Sequence, residues 1–237
     1  MTDAYDEPAG IAPRGTVLVA AGRGETAAAY ARFGRRIAAD GYRVRVLPDV
    51  TADLGAGLAE AGKLLVDDQL PGPHVVVGSD TGALFALALA ARGAPGLDAL
   101  VLAGIPVGDA ADGGGDDRGW DDRGWDAEIE ARTACPTHRR VLSEGAATPG
   151  ALFVAPAPIE VSGHITVPSL GLHGDADPIS PLDQARSRYP GTLVTIAGGR
   201  HDVLNDLSHR TVAATIVLFL ERLRLGPDLP RIATVER

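Results

Sequence analysis

Residues 78–82 of this chain, GSDTG, could do chemistry. The apolar run VVV precedes them and ALFALALAA follows. Glycine, any residue, a reactive residue, any residue and glycine between a strand and a helix is the pattern of a nucleophile elbow, which usually carries serine at its centre. Here Asp80 holds the centre. A carboxylate is a nucleophile without losing a proton, so Asp80 is a candidate to attack an electrophilic carbon and form an ester.

Asp80 has other interpretations that the sequence leaves open. An aspartate directly before a helix is a good N-cap, because its carboxylate accepts hydrogen bonds from the first turn and lies at the positive end of the helix dipole. Ser79 is an alternative nucleophile, but an elbow centred on it would need glycine in place of Val77. An elbow drives its central residue towards positive φ, which aspartate tolerates better than most residues.

Two later segments carry the partners that such a nucleophile needs. LHGDADPIS contains Asp175 and Asp177, and AGGRHDVLND contains His201. A histidine near the nucleophile can activate water, and an acid can fix the tautomer of that histidine and stabilise its charged form. We expect Asp177 to be this acid because it stands directly before a proline turn, and Asp175 stays open as a rival.

The elements that must position these residues alternate along the chain. Apolar runs of strand length alternate with segments of helix length, which predicts an α/β fold, a three-layer α/β/α sandwich with a mostly parallel sheet of about six strands. The carboxyl ends of parallel strands share one edge of the sheet, where ligands bind. The predicted strands cover 16–21, 42–47, 74–78, 98–104, 168–174 and 192–198, and the predicted helices cover 25–40, part of 53–69, the segment after the elbow, a short stretch from Pro181 and about 207–225.

We expect one domain with a lead-in and an insertion. We predict that residues 1–15 are a disordered lead-in and that residues 16–237 form the domain. Within the domain, we predict that residues 109–166 are an insertion that forms a small cap or lid. The insertion contains DDRGWDDRGWD, a duplication whose acidic composition is typical of a flexible, solvated loop. Alternatively, Trp120 and Trp125 belong to a lid over the site.

From Thr16 onward the chain resembles the α/β-hydrolase superfamily. The resemblance rests on the GSDTG elbow, on the acid in GDADP and on GRHDVLND, in this order along the chain. The last segment is similar to the histidine loop of the lysophospholipase and monoacylglycerol-lipase-like branch. The resemblance implies a catalytic triad of Asp80, His201 and Asp177 in an α/β-hydrolase fold that lacks the family's first hairpin.

The resemblance also implies roles for supporting residues. Gly78 and Gly82 would keep the strand and the helix of the elbow from colliding. AGRG, at residues 21–24, occupies the place of the family's H-G-x-G oxyanion loop, with alanine where histidine is usual. The backbone N–H groups of Arg23 and Thr81 would then be the oxyanion donors.

Epoxide hydrolases and haloalkane dehalogenases share the aspartate elbow, so the resemblance implies hydrolysis of a small, apolar epoxide or halide through an ester on Asp80. Two features depart from those families. Thr81 stands where dehalogenases place a halide-binding tryptophan, and all four tyrosines lie outside the insertion, whereas epoxide hydrolases use cap tyrosines as acids. An ester or lactone substrate, an elimination in which Asp80 or His201 shuttles a proton, and a non-catalytic protein in which Asp80 only caps its helix therefore stay open.

The segment after the first predicted strand also fits a weaker pattern. Gly22, Gly24 and Ala27 form G-x-G-x-x-A before a helix, and Asp49 follows the next strand, where a ribose-binding acid could lie. This alternative predicts a nicotinamide-dependent oxidoreductase. It leaves the elbow and the histidine loop without a role, so we expect no cofactor.

Composition disfavours several other functions. The formal net charge is −9, and without a basic face we expect no nucleic-acid partner. The apolar runs are too short to span a bilayer and the N-terminus has no signal-peptide pattern, which predicts a cytoplasmic protein with no membrane partner. Cys135 is the only cysteine and the six histidines show no metal-ligand spacing, so we expect no metal. The expected partner is a small-molecule substrate, with a homodimer left open.

Overall fold

The computed structural model describes residues 3–107, 124–156 and 158–234. Seven strands in these residues form one sheet, in the order β1-β3-β2-β4-β5-β6-β7 once numbered along the chain. Each neighbouring pair is parallel except the first, in which β1 runs antiparallel to β3. The strands are β1 (Asp3–Tyr5), β2 (Gly15–Ala20), β3 (Tyr42–Val46), β4 (His74–Ser79), β5 (Ala99–Ala103), β6 (Ser169–Gly174) and β7 (Thr192–Ile196).

Helices cover both faces of the sheet, which confirms the predicted three-layer α/β/α architecture. Apolar side chains of α1 and α7 pack on one face, and those of α2, α3 and α6 pack on the other. Side chains alternate along each strand, so a buried strand such as β2 contributes to both apolar layers. The helices are α1 (Ala31–Ala39), α2 (Leu54–Leu65), α3 (Thr81–Ala91), α4 (Gly124–Arg132), α5 (Pro136–Val141), α6 (Leu182–Ala185) and α7 (His209–Leu225).

The prediction of a disordered lead-in at residues 1–15 is wrong for the described part of that segment. Strand β1 pairs with β3, and Tyr5 lies against Gly34, where a Cβ atom would come within 2.4 Å of the tyrosine ring. Glu7 and Asp6 form ion pairs with arginines of β3. A three-residue strand is too short to show the alternation of apolar and polar residues that predicts a strand. The contacts named above fix the position of this segment. The sheet therefore has one antiparallel edge strand that the sequence did not predict.

The insertion is partly helical in the region that the structure describes. Helices α4 and α5 lie in it, and a bridge joins Glu25 to Ala147. Trp125 is half-buried in the first turn of α4 and packs against the apolar layer that contains α1 and α7. Trp120 and residues 116–123 of the duplicated segment lie outside the described residues. None of the described helices has the length and the apolar character needed to cross a bilayer.

Candidate active site

Asp80 occupies a sharp turn between β4 and α3. Its backbone has φ 49° and ψ −120°. This conformation is energetically unfavourable for every residue except glycine. A Cβ atom on Gly78 would lie 2.1 Å from the carbonyl oxygen of Gly82, and one on Gly82 would lie 2.1 Å from that of Ala20. Both glycines are therefore required where the helix crosses the strands. The segment has the geometry of a nucleophile elbow with Asp80 at its centre.

His201 lies between the two predicted carboxylates. Its Nδ1 atom is 2.8 Å from Oδ2 of Asp177, and its Nε2 atom is 3.2 Å from Oδ1 of Asp80. The three residues follow β4, β6 and β7, so the parallel sheet brings them together at one edge. Asp80 and His201 are each 1% exposed and Asp177 is 5% exposed. The arrangement is that of a carboxylate, histidine and acid triad.

The rival acid, Asp175, lies outside this arrangement. It is exposed, and its Oδ1 atom accepts a hydrogen bond from the backbone N–H of Gly198. Asp177 instead accepts hydrogen bonds from the backbone N–H groups of Ile179 and Ser180 on Oδ1, which leaves Oδ2 for His201. The turn after β6 thus fixes the carboxylate of Asp177 in the orientation that a histidine partner needs.

Arg23 supplies a contact that the sequence did not predict. Its backbone N–H donates to Oδ2 of Asp80 at 2.9 Å, and its side chain donates from Nε to Oδ2 at 2.8 Å and from Nη2 to Oδ1 at 2.9 Å. Nη1 donates to the carbonyl oxygen of Val154 in the insertion. The predicted role of Arg23 was its N–H group alone. An arginine in a glycine-rich turn after the first long strand, before Glu25, is the one signal that could have suggested more.

The helix-cap interpretation of Asp80 receives no support from these contacts. Asp80 stands at the N-cap position of α3, but its side chain accepts no hydrogen bond from that helix. Its carboxylate binds Arg23 and His201 instead. Ser79 is the last residue of β4 and lies before the turn. Thr81 is fully buried with a hydroxyl group that has no partner among the described residues, and its N–H group stays a predicted oxyanion donor.

The charged side chains of the site shift one another's pKa values towards the ionised forms. Burial alone would raise the pKa of Asp80, but Arg23 and His201 outweigh it and lower that pKa. Burial alone would lower the pKa of His201, but Asp177 and Asp80 outweigh it and raise that pKa. The two shifts together favour an ionised Asp80 carboxylate beside a protonated His201 imidazole.

A second polar cluster lies directly behind this site. Glu25, His138 and Asp202 are buried, and one ligand atom from each lies within 4.8 Å of the others. This grouping could not be predicted from the sequence, because the three residues come from the turn after β2, from the insertion and from the segment after β7. Imidazole and carboxylate are metal-binding groups, so this cluster is the part of the described chain that could hold an ion.

The insertion covers the glycine-rich turn that the dinucleotide-binding alternative would use. A Cβ atom on Gly24 would lie 2.3 Å from Cβ of Ala151, so the insertion packs directly on this turn. The N–H of Thr148 also donates to the carbonyl oxygen of Gly24. A pyrophosphate needs close approach to the backbone of such a turn. Asp49, the candidate ribose-binding acid, accepts hydrogen bonds from Thr51.

Comparisons with known proteins bear on the fold of this chain. No protein-family model matches the sequence, and no curated protein matches it significantly. Among solved structures, a monoacylglycerol lipase from Paleococcus ferrophilus superposes with a TM-score of 0.70 at 14% identity, over 93% of this chain and 97% of that one. The chain has the α/β-hydrolase fold.

Other similar structures share this α/β-hydrolase fold. A Rhodococcus esterase has a TM-score of 0.66 at 18% identity, covering 94% of each chain. A non-heme bromoperoxidase, described as putative, from Mycobacterium tuberculosis has 0.65 at 16% identity, covering 98% of this chain and 96% of its own. At these identities the likeness concerns the fold alone.

Proposed function

We propose that this α/β-hydrolase-fold protein hydrolyses small, apolar epoxides through a covalent ester on Asp80. The observation that carries the proposal is the division of the Asp80 carboxylate. Oδ2 accepts hydrogen bonds from the backbone N–H and the Nε atom of Arg23, while Oδ1 accepts one from Nη2 of Arg23 and faces Nε2 of His201. Only Oδ2 is thus held by a backbone donor of the oxyanion type, and only Oδ1 lies beside the acid-base group.

This division favours attack on a saturated carbon over attack on an ester. In acyl transfer by a serine hydrolase, the oxyanion donors have no protein acceptor and bind the carbonyl oxygen of the substrate. Here the N–H of Arg23 is already bound to Asp80 itself. An ester or lactone carbonyl would find that donor occupied. An ester formed on Asp80 would have its own carbonyl oxygen, Oδ2, in position to receive these hydrogen bonds when water attacks.

In the first step, Oδ1 of Asp80 attacks a ring carbon and the carbon–oxygen bond of the epoxide breaks. The alkoxide that forms takes the proton from Nε2 of His201, so the product is a hydroxy ester and a neutral imidazole. The insertion has no tyrosine to supply this proton. A protonated His201 beside the nucleophile would supply the proton instead of a cap tyrosine. A halide leaves without a proton, so a proton donor at this position favours an epoxide as the substrate.

In the second step, esterification has removed the negative charge of Asp80, which lowers the pKa of His201 because only Asp177 still supports its charged form. Neutral His201 takes a proton from water, and the hydroxide attacks Cγ of Asp80. Negative charge develops on Oδ2, where Arg23 stabilises it. The bond from Cγ to the alcohol oxygen then breaks, and the alkoxide takes the proton of the new carboxylic acid. The site returns to its starting charges, and the oxygen from water stays in Asp80.

The burial of the site supports a small and uncharged substrate. Asp80 and His201 are each 1% exposed, so a substrate reaches them only when covering side chains move. Arg23 is 8% exposed and hydrogen-bonds to Val154 of the insertion, which places it among the groups over the nucleophile. A charged substrate would lose its hydration on entry, and the charged groups described at the site, Arg23, His201 and Asp80, are already paired with one another.

A single turnover of styrene oxide in ¹⁸O-labelled water tests the proposal. We expect one label in the peptide that contains Asp80, detected by mass spectrometry, and none when Asp80 is replaced by alanine. Asp175→Ala is the matched control, because that carboxylate is exposed and should leave labelling unchanged. Turnover without label in Asp80 would exclude the covalent route.

A second measurement separates the two roles of His201. In His201→Gln, a primary bromoalkane should alkylate Asp80 and the ester should accumulate, because halide departure needs no acid while hydrolysis needs the base. Styrene oxide should alkylate this variant far more slowly. Binding of both compounds without any adduct or turnover in the wild type would favour a non-catalytic protein, and Asp80-dependent cleavage of p-nitrophenyl esters in preference to epoxides would overturn the substrate class.

A further inference from the structure

The buried cluster of Glu25, His138 and Asp202 joins three parts of the chain. Glu25 directly follows the predicted oxyanion loop, residues 21–24, His138 lies on α5 of the insertion, and Asp202 follows His201. Their exposed fractions are 4%, 2% and 3%. The proposed reaction uses none of these three side chains, so their burial needs its own explanation.

Two atoms of this cluster are unpaired. Nε2 of His138 and Oδ2 of Asp202 are buried and have no hydrogen-bond partner among the described residues. They lie 3.5 Å apart, longer than an ordinary hydrogen bond between nitrogen and oxygen. Two ligands on one tetrahedral zinc ion, at bond lengths of about 2.0–2.2 Å, stand about 3.4 Å apart. The spacing of the unpaired atoms fits a shared metal ion.

The charges around the cluster also leave room for a cation. Arg132 is the guanidinium within it, 3.2 Å from Oε1 of Glu25, 3.0 Å from Oε1 of Glu128 and 3.7 Å from Oδ1 of Asp202. One guanidinium therefore faces three buried carboxyl groups, a formal excess of two negative charges that a divalent cation would balance. Burying charge without a partner is costly, so the imbalance favours either bound protons or a bound cation.

We propose that Glu25, His138 and Asp202 bind one divalent transition-metal ion, with zinc as the best fit, in a structural site behind the active site. Zinc accepts imidazole nitrogen and carboxylate oxygen as ligands, and these three residues would leave its fourth tetrahedral position to a ligand such as water. The ion would fix the oxyanion loop through Glu25, which accepts hydrogen bonds from the Gly22 N–H and the Tyr30 hydroxyl. It would also tie the histidine loop to α5.

The site is tested by metal binding, independently of any activity. The purified chain is analysed for metal content, stripped with a chelator and titrated with zinc by calorimetry. We expect one ion per chain and a higher melting temperature, because an ion that binds only the folded state stabilises it. Saturable zinc binding without epoxide hydrolysis would leave this proposal standing and overturn only the proposed function.

Matched histidine variants locate the ion. His138→Gln should bind zinc more weakly by more than the roughly 10–100-fold that loss of an outer partner costs. His164→Gln, at an exposed position, should bind like the wild type. Cobalt(II) provides a second measurement on the folded wild type, whose visible absorption should show a nitrogen and oxygen ligand set. Absence of saturable binding by the wild type, or equal binding by His138→Gln, would overturn the proposal.

Discussion

The side chain of Arg23 binds both carboxylate oxygens of Asp80, with Nε 2.8 Å from Oδ2 and Nη2 2.9 Å from Oδ1. Both residues are buried, so the pair is shielded from salt and water. The contact gives Arg23 two roles. It compensates the buried charge of the resting nucleophile, and in the proposed reaction it stabilises the charge that returns to Oδ2 in the second step.

Arg23→Ala should destabilise the protein by about 3 kcal/mol, because it leaves a buried carboxylate with fewer partners. Asp80→Asn removes the negative charge of the Arg23–Asp80 ion pair. In urea unfolding, the double variant should be less destabilised than the sum of the two single variants, because each single change leaves the other group unpaired. Strict additivity would show that the two groups do not interact in solution.

Arg23→Lys should lower kcat by about 10²-fold or more, because lysine keeps the positive charge but loses the forked contact in which Nη2 reaches Oδ1 and Nε reaches Oδ2. The loss should appear in the second step, where charge develops on that oxygen. Rapid-quench mass spectrometry should therefore find the ester on Asp80 accumulating in this variant. A lysine variant with wild-type kcat and no accumulated ester would contradict this role.

Asp177→Asn should lower kcat by about 10⁴-fold, because the amide no longer holds His201 in the tautomer and charge state that the reaction needs. Asp175→Asn is the matched control, two residues away and exposed, and should stay within a few-fold of the wild type. Both variants are compared at saturating styrene oxide after circular dichroism has established that they fold. Equal losses in the two variants would point to a structural effect of this turn.

The meeting of Asp80, His201 and Asp177 was predictable from sequence because each of the three lies in a local motif. The strand before Asp80, the glycines around it and the turn after β6 are all visible over a few residues, and the parallel sheet then brings their ends together. The predicted strands match the observed ones within one or two residues at most ends for the same reason, since a buried strand is a continuous apolar run.

The residues that sequence reasoning missed depend on contacts between distant segments. The side chain of Arg23 reaches Asp80 only because β2 and β4 are neighbours in the sheet. Glu25, His138 and Asp202 meet behind it without any spacing pattern. Strand β1 was missed because three residues carry no period, and its position depends on pairing with β3. Tertiary packing, rather than local preference, decides all of these.

Gly82→Ala should destabilise the protein by about 3 kcal/mol or more, because the added Cβ atom would lie 2.1 Å from the carbonyl oxygen of Ala20 in the neighbouring strand. Gly62→Ala on α2 is the control, since a Cβ atom there meets nothing within 4 Å and alanine favours a helix by roughly 0.5–1 kcal/mol. Urea unfolding should show the two substitutions moving stability in opposite directions. Similar effects would contradict the close crossing at the elbow.

Glu221 should make stability depend on pH in the acid range. It lies on α7 and accepts hydrogen bonds from Nε of Arg14 at 2.8 Å and from the hydroxyl of Tyr42. Hydrogen bonding to Arg14 lowers the pKa of Glu221 to about 2, with burial opposing and Tyr42 assisting. A group whose pKa is lower in the folded state stabilises it above the unfolded pKa, about 4.3 for glutamate, and loses that contribution as pH falls through the folded value.

The advantage in unfolding free energy of the wild type over Glu221→Gln should therefore be constant above about pH 5 and shrink steadily as the pH falls towards about 2, because protonated Glu221 resembles glutamine. Added salt should reduce the advantage at neutral pH, since the side chains of Arg14 and Glu221 are 37% and 24% exposed. Urea unfolding of both proteins across this range measures the difference. An advantage that grows as the pH falls would mean that Glu221 is not paired with Arg14 in solution.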